Sequence, residues 1–307
     1  MSILGTVNVI SPEMVIQALP AILGILAFTM LRDRSHSHSG DQQLELMSGV
    51  VQRIDQKIDT LSSLRMLTGA DIENALAEAR RDTKIWVFRG GTGTYTRTVT
   101  LPQCIENARP DRRPLQVRLE ILNPTDLAAC EEYAALYRRL ALGPEDDAAS
   151  WSGDSTRRES YATVLAACIH KQRYPPLKIE VGLSSNISTF RYDMSGQYLI
   201  VTQRGPRFHA LLVDHDKSYY DYWGFELDMS FDQSRQLAIT AAVSKLPLSD
   251  LPDVNEVREL FQELKVDLPP EYTDKDVEEI LKKAVASEKD LPVRGAGEMV
   301  NSPTVGK

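Results

Sequence analysis

Cysteine is scarce in this sequence of 307 residues, and its distribution excludes two kinds of structure. The three cysteines, Cys104, Cys130 and Cys168, lie far apart, and none belongs to a CxxC pair or a His/Cys cluster. A structural zinc site or a disulfide framework needs such grouping. Free cysteine is otherwise a common small core residue. We therefore expect three buried, reduced thiols and no metal site.

Basic residues are outnumbered: 35 Lys and Arg face 43 Asp and Glu, for a net charge of -8. Binding to phosphate backbones needs a basic surface, so the composition argues against a nucleic-acid partner. The familiar cofactor and catalytic motifs are also missing. There is no Walker loop, no Gly-x-Gly-x-x-Gly fingerprint, no HExxH or EF-hand pattern and no Ser-His-Asp elbow. No cofactor is expected.

Long apolar runs are limited to residues 14–31, which carry no charged side chain. At about 1.5 Å per residue this segment spans about 27 Å, close to the ~30 Å hydrocarbon core of a bilayer. Ser11-Pro12-Glu13 before it is typical of a helix start. The alternatives are a buried helix and a cleaved signal peptide, but signal peptides carry basic residues ahead of the apolar core. Residues 1–13 have none, and we predict a transmembrane anchor over residues 1–34.

The charges that flank the apolar run predict its orientation. Arg32 and Arg34 follow the run directly. Lys and Arg concentrate on the cytoplasmic side of membrane helices. We therefore expect a single-pass protein of the plasma membrane, with its N-terminus outside and its main domain in the cytoplasm.

Beyond a polar hinge at 35–40, apolar residues recur at alternating spacings of four and three. They are Leu44, Met47, Val51, Ile54, Ile58 and Leu61. This is the a/d pattern of a coiled coil, carried over three heptads. We predict a helical stalk over residues 41–82 that joins two copies into a dimer. An amphipathic helix packed on its own domain is the alternative.

The middle of the sequence alternates between helix and strand patterns. Helices are predicted at 71–82, 101–108, 126–140 and 157–172, and strands at 84–88, 115–122, 178–183, 189–193, 198–203, 208–214 and 219–225. Helices between the early strands imply parallel crossovers, and the later hairpins imply antiparallel pairing. The pattern predicts an α/β fold over residues 83–230, with a mixed sheet flanked by helices.

The C-terminal part has a different character. Two amphipathic helices, at 255–264 and 273–287, are predicted within a helical extension over residues 231–289. These helices are a candidate site for a protein partner, although they carry no specific docking motif. Residues 290–307 have the Pro, Gly and polar composition of a disordered tail.

A glycine-rich segment follows the first predicted strand. It contains Gly90, Gly91 and Gly93, and Arg89 and Arg97 flank it. Backbone N–H groups in such a turn form a nest for anions, which makes these five residues ligand-binding candidates. A tight turn is the alternative, because glycine commonly serves backbone conformations that other residues avoid.

A segment late in the chain resembles the signature of the phospholipase D superfamily, in which His, any residue, Lys, four residues, Asp, six residues and Gly follow one another. His209 and Asp216 match the His and the Asp. Leu211 stands at the Lys position, and Trp223, followed by Gly224, stands at the glycine position. The resemblance extends over residues 84–226 and implies a phospholipase D-like fold with one motif per chain.

In the family the His attacks phosphorus and the Lys offsets the charge of the phosphate oxygens. Leu211 cannot supply that charge, and one missing stabiliser typically costs a few kcal/mol of transition-state energy. A second register, His215 and Lys217 followed by Asp221, has one residue too few between its His and its Asp. We interpret it as a solvated charge cluster at a turn.

These features predict a membrane-anchored phospholipase D-like domain that is catalytically degenerate and serves in sensing or regulation. Two alternatives stay open. One is a divergent phosphodiesterase, nuclease or phospholipase that uses His209 and Asp216, with Lys217 or Arg207 as the replacement cation. The other is a membrane scaffold or effector of a defence or stress system, which works through its anchor, its coiled coil and its C-terminal helices.

Overall fold

The computed structural model describes residues 64–140, 150–203 and 209–287. The predicted anchor, the coiled-coil heptads at 44–61 and the predicted C-terminal tail at 290–307 lie outside the described residues. Across the ranges that are described, no helix is both long and apolar enough to cross a membrane.

Eight strands and eight α-helices make up the described part of the chain. The strands are β1 (Arg65–Leu67), β2 (Ile85–Arg89), β3 (Leu115–Leu122), β4 (Leu177–Ser184), β5 (Phe190–Ser195), β6 (Tyr198–Gln203), β7 (Ala210–Asp214) and β8 (Arg235–Leu237). The helices are α1 (Ala70–Arg81), α2 (Leu101–Ala108), α3 (Leu127–Arg139), α4 (Gly153–Arg173), α5 (Ser218–Gln233), α6 (Ile239–Lys245), α7 (Val254–Glu263) and α8 (Asp274–Val285). A π-helical turn, Thr96–Thr100, leads directly into α2.

The strands form one sheet in the order β1-β7-β6-β5-β2-β3-β4-β8. β2, β3 and β4 are parallel, and the other neighbours pair antiparallel. Parallel pairing requires crossovers, which α2 provides between β2 and β3 and the α3–α4 pair provides between β3 and β4. The predicted mixed sheet flanked by helices is confirmed as the fold class.

The two faces of the sheet carry cores of unequal size. On β2, Trp86 and Phe88 face the larger core and Val87 faces the smaller one, following the alternation of a strand. The larger core packs against α1, α2, α4, α6, α7 and α8. On the opposite face, α5 covers the smaller core through Leu227. A central sheet covered on both faces explains why its strands are rich in apolar residues.

The segments that precede and follow the predicted domain contribute to the same core. Leu76 of α1 is buried there, although it falls within the predicted stalk. Val257 and Phe261 of α7 and Ile280 of α8 are fully buried against the same cluster. The apolar faces of the two C-terminal helices are thus used inside the protein, and a partner would meet their outer faces.

The three cysteines are free and buried, as expected from their spacing. Burial raises the pKa of Cys104 and of Cys168 to about 12, and that of Cys130 to about 11. Reactivity belongs to the thiolate, so these side chains are inert core residues at neutral pH.

The predicted strand at 219–225 is wrong, because these residues form the first half of α5. Aromatic residues are enriched in strands, and the density of Tyr, Trp and Phe misled the prediction. The helical period is visible once the sequence is read further: Tyr220, Trp223, Leu227 and Phe231 recur every three or four residues, and these four side chains are buried or partly buried.

Candidate functional site

His209 and Asp216 lie at opposite ends of β7. His209 immediately precedes the strand, and Asp216 lies in the turn after it. Five strand residues at about 3.3 Å each separate the two positions by about 17 Å, far beyond hydrogen-bond reach. Both side chains are exposed, and Asp216 pairs with the adjacent Lys217 at 3.3 Å. Within one chain the two motif residues do not meet.

The other motif positions have packing roles. Leu211 packs against the smaller core, on the same face of β7 as Val213, and His209 precedes them on that face. Trp223 belongs to the inner face of α5 and meets Tyr192 edge to face, with ring centroids 5.6 Å apart. Arg207, one candidate replacement cation, lies outside the described residues.

The glycine-rich turn lies at the carboxyl end of β2, an edge where α/β sheets often bind ligands. Here the turn is filled by its own neighbours. A Cβ atom on Gly91 would lie 2.1 Å from the hydroxyl oxygen of Tyr133, and one on Gly90 would lie 2.8 Å from the Phe88 ring. Gly93 has a φ of +72°, a conformation suited to glycine. Close packing therefore accounts for the three glycines, and all three are buried.

Arg89 and Arg97 are not brought together. Arg89 lies on the α5 side of the sheet, 3.5 Å from Glu120 and 3.6 Å from Glu226. Arg97 belongs to the π-helical turn and is buried on the other side, against α4. The two guanidinium groups cannot bind one ligand from opposite faces of a sheet.

A buried ion-pair network surrounds Arg97. Its Nη2 atom lies 2.6 Å from Glu159 Oε2, and its Nη1 atom donates to the Glu159 carbonyl oxygen at 3.0 Å. Thr94 of the glycine-rich turn donates to the same carboxylate at 2.9 Å, and Lys283 of α8 donates to Oε1 at 2.8 Å. Burial alone would raise the pKa of Glu159, but Arg97 and Lys283 outweigh burial and lower it. Glu159 is therefore a carboxylate at neutral pH.

A polar groove of about 500 Å³ opens above this network, between the start of α4 and α8. Most of its charged side chains are paired within the chain. Arg158 reaches three carboxylates, Asp154 at 2.7 Å, Asp276 at 2.8 Å and Glu279 at 2.7 Å, and Lys283 also contacts Glu279 at 3.7 Å. The pairs of Arg158 with Asp276 and Glu279 join α4 to α8, which is a structural use of the groove.

A second buried polar cluster lies under α1. Asp193 of β5 is fully buried, and neither carboxylate oxygen has a hydrogen-bond partner of normal geometry. Burial raises its pKa, and the guanidinium of Arg191 at 3.7 Å and the nearby Trp86 indole only partly offset that effect. Arg80 of α1 is buried close by and also acts on Asp193.

Sequence reasoning identified Arg97 but missed the residues around it. Glu159, Lys283 and Asp193 belong to no motif, and their positions relative to Arg97 or Trp86 depend on long-range packing. One local signal was available: Asp193 is an acid within a predicted strand, between Tyr192 and Met194. Across the described ranges, no group of three or more His, Cys, Asp or Glu side chains is arranged to hold a metal ion.

Comparisons with known proteins add little. No family model matches the sequence, and no curated protein matches it. Among solved structures the chain has a weak match to TrmBL2, an archaeal chromatin protein whose structure is described as showing a novel mode of DNA binding. The match has 7% identity over 70% of each chain and a TM-score of 0.31, which carries no conclusion about this chain.

Proposed function

We propose that this chain is a single-pass membrane protein whose cytoplasmic domain is a non-catalytic, phospholipase D-like module for sensing or regulation. The separation of His209 and Asp216 along β7 carries the proposal. A phosphoryl-transfer site needs its nucleophile and its charge-stabilising groups within hydrogen-bond reach of one substrate. Leu211 is committed to the smaller core and supplies no cation.

The phospholipase D resemblance also implies a site built from two chains, so the test uses the full chain in detergent micelles. Hydrolysis of a model phosphodiester, bis(4-nitrophenyl) phosphate, and of phosphatidylcholine is measured for the unaltered chain and for His209→Ala and Asp216→Ala. His215→Ala, an exposed histidine in the turn after β7, is the matched control. We expect no turnover above a blank without protein. Turnover that is lost in His209→Ala and retained in His215→Ala would establish the enzyme instead.

The proposed anchor has its own test, which uses the inertness of the native thiols. Ser11→Cys and Leu251→Cys introduce one cysteine before the apolar run and one at a position that is 89% exposed. In intact cells a membrane-impermeant maleimide should label the cysteine at 11. The cysteine at 251 should react only after the membrane is permeabilised. Labelling of the cysteine at 251 but not of the cysteine at 11 in intact cells would overturn the orientation. In a separate variant, deletion of residues 14–31 should abolish membrane association.

A further inference from the structure

The outer face of α5 carries a row of exposed apolar side chains. Tyr219, Tyr222, Phe225 and Met229 are spaced by three, three and four residues, which puts them along one face of the helix. Their side chains are 49%, 67%, 66% and 56% exposed, respectively. We call this row the outer stripe. It lies opposite the residues that α5 buries against the sheet.

The outer stripe differs from ordinary surface exposure. Ten large apolar residues are exposed in the described part of the chain, and four of them belong to this one helix. Single exposed apolar residues are normal on soluble proteins, whereas a contiguous patch marks an interaction surface. Nothing in the described part of the chain covers the stripe.

The charged residues of α5 are all acidic. α5 contains four acidic residues and no Lys or Arg. Glu226 and Asp228 are paired with Arg89 and Arg118 of the sheet. Asp221 and Asp232 are exposed and form no ion pair among the described residues. Helix geometry puts Asp221 and Asp232 along the same edge of the stripe, where they form an uncompensated acidic rim.

We propose that the outer stripe is a docking surface for a basic amphipathic helix of another protein. Charge complementarity selects this occupant. An anionic membrane surface would repel the acidic rim, and a second copy of α5 would bring like charges together. The stripe runs over eleven residues, from Tyr219 to Met229, or about 15 Å, which matches about three turns of a helix whose apolar residues recur every three or four positions. The proposal stands independently of the function proposed above.

The probe is a synthetic helical peptide of about 18 residues with leucine on one face and lysine elsewhere. Its fluorescence anisotropy is titrated with the full chain in nanodiscs of neutral lipid, and binding to empty nanodiscs is subtracted. We expect saturable binding that weakens about tenfold or more when Tyr222, Phe225 and Met229 are all changed to Ser. Asp221→Lys with Asp232→Lys should weaken it comparably. A leucine/glutamate peptide should bind the charge-reversed chain better than the unaltered one.

Leu251→Ser is the matched control, since it removes an exposed apolar side chain elsewhere and should leave peptide binding unchanged. Circular dichroism confirms that the triple variant is folded. Absence of binding, or binding that the triple variant retains, would overturn the proposal. So would two other results of the triple variant: loss of self-association in sedimentation, which assigns the face to a second copy, or loss of binding to anionic vesicles, which assigns it to the membrane.

Discussion

Arg97 Nη2 lies 2.6 Å from Glu159 Oε2, a contact between residues 62 positions apart in the sequence. The second oxygen of the same carboxylate accepts from Lys283 at 2.8 Å. Glu159 of α4 thus links the π-helical turn that follows β2 to α8, the last helix of the described chain. Buried charges are tolerated when they are paired in this way, and removing one partner leaves the others uncompensated.

Glu159→Gln should destabilise the protein by about 3–5 kcal/mol, because it leaves the buried Arg97 without its counter-ion. Lys283 loses one of its two acidic partners and keeps Glu279. Urea unfolding at neutral pH measures the free energy of unfolding of the variant and of the wild-type protein. Glu78→Gln is the control: Glu78 pairs with Arg81 at 2.9 Å on the exposed side of α1. Its loss should cost less than about 1 kcal/mol. Equal effects of the two substitutions would contradict a special role for the buried network.

Asp193→Asn should stabilise the protein increasingly as the pH rises. The folded-state pKa of Asp193 is raised, so the native chain binds this proton more tightly than the unfolded chain does. The wild-type chain therefore loses stability as the pH climbs above the usual aspartate range, by up to about 1.4 kcal/mol per pH unit until the folded pKa is passed. Asparagine has no such titration.

Denaturant unfolding of the Asp193→Asn variant and the wild-type chain, repeated between about pH 4 and pH 8, measures this difference. Asp250→Asn, the same substitution at an exposed position, is the control. A difference for Asp193→Asn that is constant, or that shrinks as the pH rises, would contradict the raised pKa.

Gly91→Ala should cost about 1–3 kcal/mol, because the added methyl group would overlap the Tyr133 ring and overpack the turn. Gly196→Ala in the β5–β6 hairpin is the matched substitution. A Cβ there would meet only the Ile85 side chain, at an ordinary 3.8 Å, and the backbone does not require a positive φ. Thermal melting of both variants compares the two sites. An unchanged melting temperature for Gly91→Ala would contradict the close packing of Tyr133 against this glycine.

Phe261→Ala should destabilise the protein by about 3–5 kcal/mol, since Phe261 of α7 is fully buried and packs edge to face on Tyr161. Phe225→Ala makes the same chemical change on the outer stripe and should stay within about 0.5 kcal/mol of wild type. Urea unfolding measures both. A small effect at Phe261 would mean that the C-terminal helices are appended to the core, which would restore them as a separable binding element.

Most helices and strands could be predicted from local patterns. Strand β3 has the predicted ends, and the ends of α3, α4 and β4 fall within a few residues of prediction. Hydrophobic periodicity is a local signal, and it was strong in these segments. It failed at α5, where aromatic residues favoured a strand and packing against Leu199 and Val213 selected a helix. The short edge strands β1 and β8 carry too few residues for a period to appear.

The candidate site was less predictable. Arg97 was identified through its neighbouring glycines, yet the glycines proved to be packing residues and the arginine proved to bind an internal acid. His209 and Asp216 were identified from their spacing in the sequence. Because the residues between them form an extended strand, the two side chains lie far apart in space. A sequence motif indicates which chemical groups are present. It does not indicate whether those groups lie close together in the folded chain.

By itself the sequence determined the α/β class, the alternation of elements and the burial of the thiols, because each follows from the periodicity and composition of short segments. Only the tertiary structure decided that Glu159 pairs with Arg97 and Lys283, that Asp193 is buried without a hydrogen-bond partner of normal geometry, and that α5 turns an apolar stripe outward. Those outcomes depend on contacts between residues dozens of positions apart. Their free energy comes from desolvation and packing, which no local pattern encodes.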